Sequence, residues 1–215
     1  MKESLLNTLK NLFRIKSVLI IYVSLLVQKE NSKIDTVIRR FKLFFQKREL
    51  KRNLKNNNRY VEFQSIESAK TVGVVFVVED EASYFRIDNW LKKLVAAGKE
   101  VRVVGYHHSD NVPHYCIPKL KHEYYSKKDV NWYGKPIRPS LKDFVKEPFQ
   151  ILIDLTIDDN FTTKYIASLS KSSMKVGKKS DGNEDFYDFM IALNEEQDIE
   201  DFIYFIESYT KQLKG

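Results

Sequence analysis

The sequence predicts an α/β protein, a three-layer Rossmann-like sandwich with a mostly parallel sheet, preceded by a helical basic N-terminal arm. Two continuous apolar runs, TVGVVFVV at 71–78 and QILIDLTI at 150–157, have strand length and no polar alternation. That pattern belongs to strands buried on both faces. These runs alternate with segments of helical period, and strands alternating with helices fold as a parallel sheet covered on two sides. The third observation is charge. Residues 1–70 carry 16 Lys+Arg against 6 Asp+Glu, whereas residues 71–215 carry 20 against 23. The formal +7 therefore divides into a basic arm, 1–58, and a mildly acidic α/β domain, 59–215.

In chain order, Leu5, Leu6, Leu9, Leu12 and Phe13 predict a helix over 1–27, and Gln28 to Ser32 a polar break. Lys33 to Lys55 places Ile34, Val37, Ile38, Phe41, Phe44, Phe45 and Leu54 on one side at helical spacing, with cations crowding the rest. KNNNR at 55–59 reads as a turn. After the strand at 71–78, a helix over 82–97 turns Phe85, Trp90, Leu91, Leu94 and Val95 inward and is closed by Gly98. VRVVGY at 101–106 completes a βαβ unit. The stretch 107–148 holds all five prolines and reads as irregular, with DVNWYGKP at 129–136 a short strand or turn and a short helix near 141–145. The rhythm resumes with a helix over 161–170, strands at 174–176 and 187–193, and a helix over 199–213.

Several function classes fall away on composition. A single cysteine, Cys116, removes any disulfide framework or multi-cysteine zinc site and reads as a half-buried thiol. The apolar run 17–27 is shorter than the roughly 18–20 residues a membrane span needs, and no small-x-small cleavage site follows it, so the expected location is the cytoplasm. No G-x-G-x-x-G follows the first strand, which runs instead into Glu79-Asp80-Glu81 and would repel a pyrophosphate. A dinucleotide is not expected. The P-loop and the G-x-S-x-G elbow are absent too, so the chain reads as a non-catalytic protein.

Where chemistry could sit follows from the fold, because open parallel sheets bind ligands beyond the carboxyl ends of their strands. Glu79, Asp80 and Asp158 fall there and are the candidate ligands for a magnesium ion, the one cofactor the sequence allows; otherwise none is expected. Asp80, Asp154 and Asp158 are the candidate catalytic carboxylates. Asp154 stands inside an apolar strand, where burial would demand a hydrogen-bonded partner. The competing structural account makes these residues helix caps, with Glu81 or Ser83 before the first body helix and Asp159 or Asn160 before the next, and bonds Asp154 to a neighbouring loop. His107 and His108, adjacent in the chain, cannot face one metal from a strand.

The arm carries the strongest functional signal. Arg39, Arg40, Lys47, Arg48, Lys51 and Arg52 crowd its second helix, and such a surface suits the phosphates of RNA or a ribonucleoprotein. The alternative partner is an anionic membrane surface, with the 17–27 run as an interfacial anchor. A magnesium-assisted enzyme using the strand-end carboxylates is the second alternative.

Three blocks, KRELKRNLKNNNRYVEFQSIESAKTVGVVF, DVNWYGKP and FQILIDLTIDDNFTTKYIASLSKSSMKVG at 149–177, give the chain a family likeness. Over roughly residues 45–210 it resembles an uncharacterised Bacteroidota family, domain of unknown function 6913. The resemblance implies an α/β body with a basic helix before it and transfers no catalytic residue.

Overall fold

A computed structural model describes residues 34–213. The helix expected over 1–27, with its apolar run, and the polar break after it lie outside the described residues. Residues 34–55 are helical (α1). The chain divides into two compact units that meet between Phe45 and Gln46.

In the second unit, β1 (Thr71–Val77) is the centre of the sheet, and its six residues Val72 to Val77 are buried. It pairs in parallel with β2 (Glu100–Tyr106) on one side and β4 (Ile151–Asp154) on the other. Outside β2 lies β3 (His122–Tyr125); outside β4 lie β5 (Met174–Lys178) and then β6 (Phe189–Ile191). The order is β3-β2-β1-β4-β5-β6 and all five pairings are parallel. Strand order reverses between β1 and β4, which places a topological switch point at their carboxyl ends.

Helices cover both faces. α2 (Glu81–Ala96) and α5 (Ile199–Thr210) enclose one core, in which Val72, Val74 and Ile153 meet Trp90, Leu91, Phe202 and Ile206. α3 (Ser140–Lys146) and α4 (Phe161–Leu169) cover the opposite face, where Val75, Val104 and Leu152 meet Phe144, Phe149 and Ile166. Leu50 and Leu54 of α1 pack against this second core. The sandwich therefore has the three layers expected, and Val74, Val75, Val77, Val103, Leu152 and Leu155 are all buried.

Some expectations give way. Phe85 and Val95 are exposed, not inward. Each neighbours a residue, Tyr84 and Leu94, that already takes the buried position, and adjacent helical residues are about 100° apart. Phe85 packs instead at the rim against Tyr84 and Tyr115. The stretch read as irregular contains β3, a four-residue edge strand whose first half is polar and only half-buried. β4 stops at Asp154 because that side chain bonds the amide of Thr156 and ends the ladder. Cys116 is fully buried, which pushes its thiol up to about 12.

Candidate nucleic-acid interface

The switch point is occupied by structure. Asp80 N-caps α2, accepting from the Ser83 amide at 2.8 Å and the Ser83 hydroxyl at 3.1 Å. The amide bond holds its carboxyl below the usual range, with burial opposing. In dinucleotide-binding folds that helix terminus receives the pyrophosphate; here it already holds a carboxylate. Asn160 caps α4 by accepting from the Thr162 and Thr163 amides. Its amide lies 3.4 Å from His108 Nε2, while His107 Nδ1 faces Ser109. Glu79 and Asp158 are exposed. Among the described residues no group of three or more His, Cys, Asp or Glu could hold a metal ion.

Asp154 is sealed, with 1% of its surface exposed. Tyr187 donates its hydroxyl to Oδ2 at 2.6 Å and the Thr156 amide donates to Oδ1 at 3.0 Å. Burial pushes the carboxyl pKa up, and these donors pull it back. The Tyr187 ring fits because it lies over Gly177, where an added Cβ would come within 2.7 Å of Cδ1. Strand, tyrosine and loop are thereby tied through a side chain that solvent does not reach.

A cationic surface that faces solvent lies on α1. At 100° per residue, Lys47, Arg48, Lys51, Arg52 and Lys55 fall within about 140° of one another, and all five are exposed. The opposite side is fastened to the α/β body by contacts that the sequence does not announce. Gln46 donates to the Tyr133 carbonyl at 2.7 Å and Asn53 to Ser168 Oγ at 3.0 Å. Past the helix end, Asn57 donates to the Ser168 and Ser170 carbonyls at 2.8 and 2.9 Å. Arg59 reaches the Ser172 and Ser173 carbonyls and pairs with Asp188 at 2.5 Å. Glu49 holds Arg52 at 2.5 Å and Lys135 at 3.1 Å, so the row of cations continues from α1 onto the 129–136 turn.

That turn is rigid. Asn131 Oδ1 accepts from the Tyr133 and Lys135 amides, Val130 and Pro136 bridge, and Gly134 takes a φ of +94°. Thr162 of α4 donates to the Gly134 carbonyl at 2.9 Å. Of the sequence-predicted residues, Lys47, Arg48, Lys51 and Arg52 lie together here. Arg39 and Arg40 are exposed in the first unit. Lys135 and Trp132 went unnoticed as surface candidates; the only signal was an aromatic pair inside a turn motif.

Beneath the anchor, Lys175 is buried in β5 with 1% exposure, and its ammonium donates to the Ala167 carbonyl at the end of α4. It accompanies Asn57 and Arg59 in satisfying carbonyls of the α4 terminus and the segment that follows, groups left without partners by the helix itself.

Fold and surface together define a Rossmann-like α/β protein in which Asp80 caps the helix after β1 and a row of exposed cations lies on a helix bonded to the body. The chain belongs to the family of unknown function DUF6913, whose model matches residues 42–213. That span includes the cationic row, the 129–136 turn and the whole sheet. No curated protein matches the chain.

Proposed function

We propose that the protein is a binding module that docks the cationic face of α1 on RNA or a ribonucleoprotein, with the α/β body as its platform. The observation that carries this reading is the row Lys47, Arg48, Lys51, Arg52 and Lys55, exposed on one side of a helix whose other side is bonded to the body. A helix so fastened presents its cations without the entropic cost of ordering a free arm. Cations in a row neutralise phosphates without reading sequence. Replacing Lys47, Arg48, Lys51 and Arg52 with Gln is expected to weaken RNA retention on every sequence tested. The log-log salt slope should also fall by roughly three units for a single strand. Retention and slope equal to those of the native chain would defeat the reading.

One observation favours an anionic membrane surface as a second reading. Ile34, Val37, Ile38, Phe41 and Phe44 are each more than half exposed and recur at helical spacing, as in helices that lie in a lipid interface. Among the described residues no helix is long and apolar enough to cross a membrane, so attachment would be peripheral. Changing Ile38, Phe41 and Phe44 to Ser should then abolish flotation with anionic liposomes and leave RNA retention intact. Flotation unaffected by these changes would remove the second reading.

A further inference from the structure

We infer that the open apolar face of α1, at residues 34–44, is a dock for residues 17–27 of the same chain, which fold back across the polar break as the first arm of an antiparallel helical hairpin. This goes beyond the RNA reading and uses the side chains that the membrane reading would give to lipid.

Ile34, Val37, Ile38, Phe41 and Phe44 are 55, 51, 52, 58 and 60% exposed, and at 100° per residue they fall within about 120° of one another. Asp35, Arg39, Arg40 and Lys42 take up the rest of the circumference, so one side of this helix suits water and the other does not. The five apolar residues precede the boundary between the two compact units, at Phe45 and Gln46. None of them packs into either core of the α/β body.

Size, charge and connection choose among the occupants such a face could take. It is about 16 Å long and about 10 Å wide, well short of the roughly 800 Å2 that each partner buries in a stable complex between separate molecules. A second copy is therefore a poor fit. A helix that lies in a lipid interface carries a charged face opposite its apolar one, whereas the run at 17–27, SVLIIYVSLLV, has no charged residue on any side. A helix apolar all round belongs inside protein, and this one is too short to cross a bilayer.

The run also matches its dock. Residues 17–27 and 34–44 are eleven residues each, and the connection between them, QKENSK, has six. Antiparallel helices in bundles are joined by roughly 2–8 residues. Such a turn places Val27 beside Ile34, Val23 beside Ile38 and Ile20 beside Phe41. A tethered segment loses little translational freedom on docking, so a face too small for a separate molecule can hold it.

The test is amide hydrogen exchange on the full chain, dilute and without lipid. Amides of 17–27 are expected to be protected, and Phe41→Ser with Phe44→Ser to speed their exchange roughly tenfold or more while the thermal transition of the α/β body is unchanged. Because serine in α1 also loosens that helix, a second measurement uses paired cysteines and a short bis-maleimide, which bridges neighbouring helices. Ile20→Cys with Phe41→Cys should be joined within one chain. Val27→Cys with Phe44→Cys, about 15 Å out of register, should not be, and Cys116 is buried and does not compete. Absence of protection in 17–27, or equal joining of the two pairs, overturns the proposal. Joining between chains, with protection that grows with protein concentration, overturns it in favour of a second copy. Protection of 17–27 only in the presence of phosphatidylglycerol vesicles overturns it in favour of lipid.

Discussion

Lys175 is the residue whose protonation folding changes most plainly. Burial pushes its ammonium down to about 7 from an ordinary 10.5, with Arg59 adding to the shift and Asp188 opposing it. The unfolded chain therefore binds more protons than the folded one between about pH 7 and pH 10.5. Stability attributable to this group rises with pH across that window, and the full cost is present below pH 7. A shift of this size corresponds to a few kcal/mol, on the order of 4–5. Lys175→Met keeps the stem and removes the amine, at the loss of one hydrogen bond worth about 1 kcal/mol. The variant is expected to be more stable than the native chain near pH 6 and to lose that advantage towards pH 10, as read by urea unfolding at several pH values. A stability difference independent of pH would show that the amine is not buried uncharged. The sequence hid this residue. MKVGK at 174–178 looks like a strand with one solvated face, and only the α4 terminus, which supplies the Ala167 carbonyl, explains why a lysine points inward. Asp154 was legible as a buried carboxylate because it interrupts an apolar run; its tyrosine partner, 33 residues on, was not.

At the scale of elements, the join between α1 and α4 turns on Asn57. Its amide is shared by the Ser168 and Ser170 carbonyls, so Asn57→Ala should cost about 1–3 kcal/mol by leaving acceptors unpaired. Asn57→Asp should cost more at neutral pH, since a carboxylate would face carbonyl oxygens, and part of the difference should disappear as the solution is acidified. Chemical denaturation of the two variants at pH 4 and 7 checks this; equal losses at both values would show that the amide is not the bond that matters. The cationic side of α1 was readable from period alone, because its partner is solvent. The anchored side was not. Asn53, Asn57 and Arg59 find partners more than 100 residues away, and nothing in KNNNR tells a tethered segment from a plain turn. β3 was missed for a related reason: its pairing with β2 makes it a strand, while its own composition is that of an edge.

For the whole molecule, the second compact unit begins at Gln46, and Leu50 and Leu54 pack against its core. Removing residues 1–45 should therefore leave a cooperative thermal transition. Extending the deletion through residue 58 strips both leucines together with Asn53 and Asn57, and is expected to lower stability by several kcal/mol. Identical melting of the two truncations would mean that the helix contributes nothing to the core. The parallel sheet was legible from continuous apolar strands and their alternation with helices. Strand order was not, since no local pattern says that β1 receives β2 on one edge and β4 on the other.

That order bears on how the chain is made. β1 acquires β2 within about 30 residues of synthesis, but its other edge must wait for residues 151–154, more than 70 residues later. At about 5–20 residues per second the delay is several seconds. Throughout it, the nascent half carries a strand of valines with unsatisfied amides and carbonyls along one edge, the kind of template that other chains pair with. Translation speed between β3 and β4, and whatever shields that edge at the ribosome, would therefore govern how much of the product escapes aggregation.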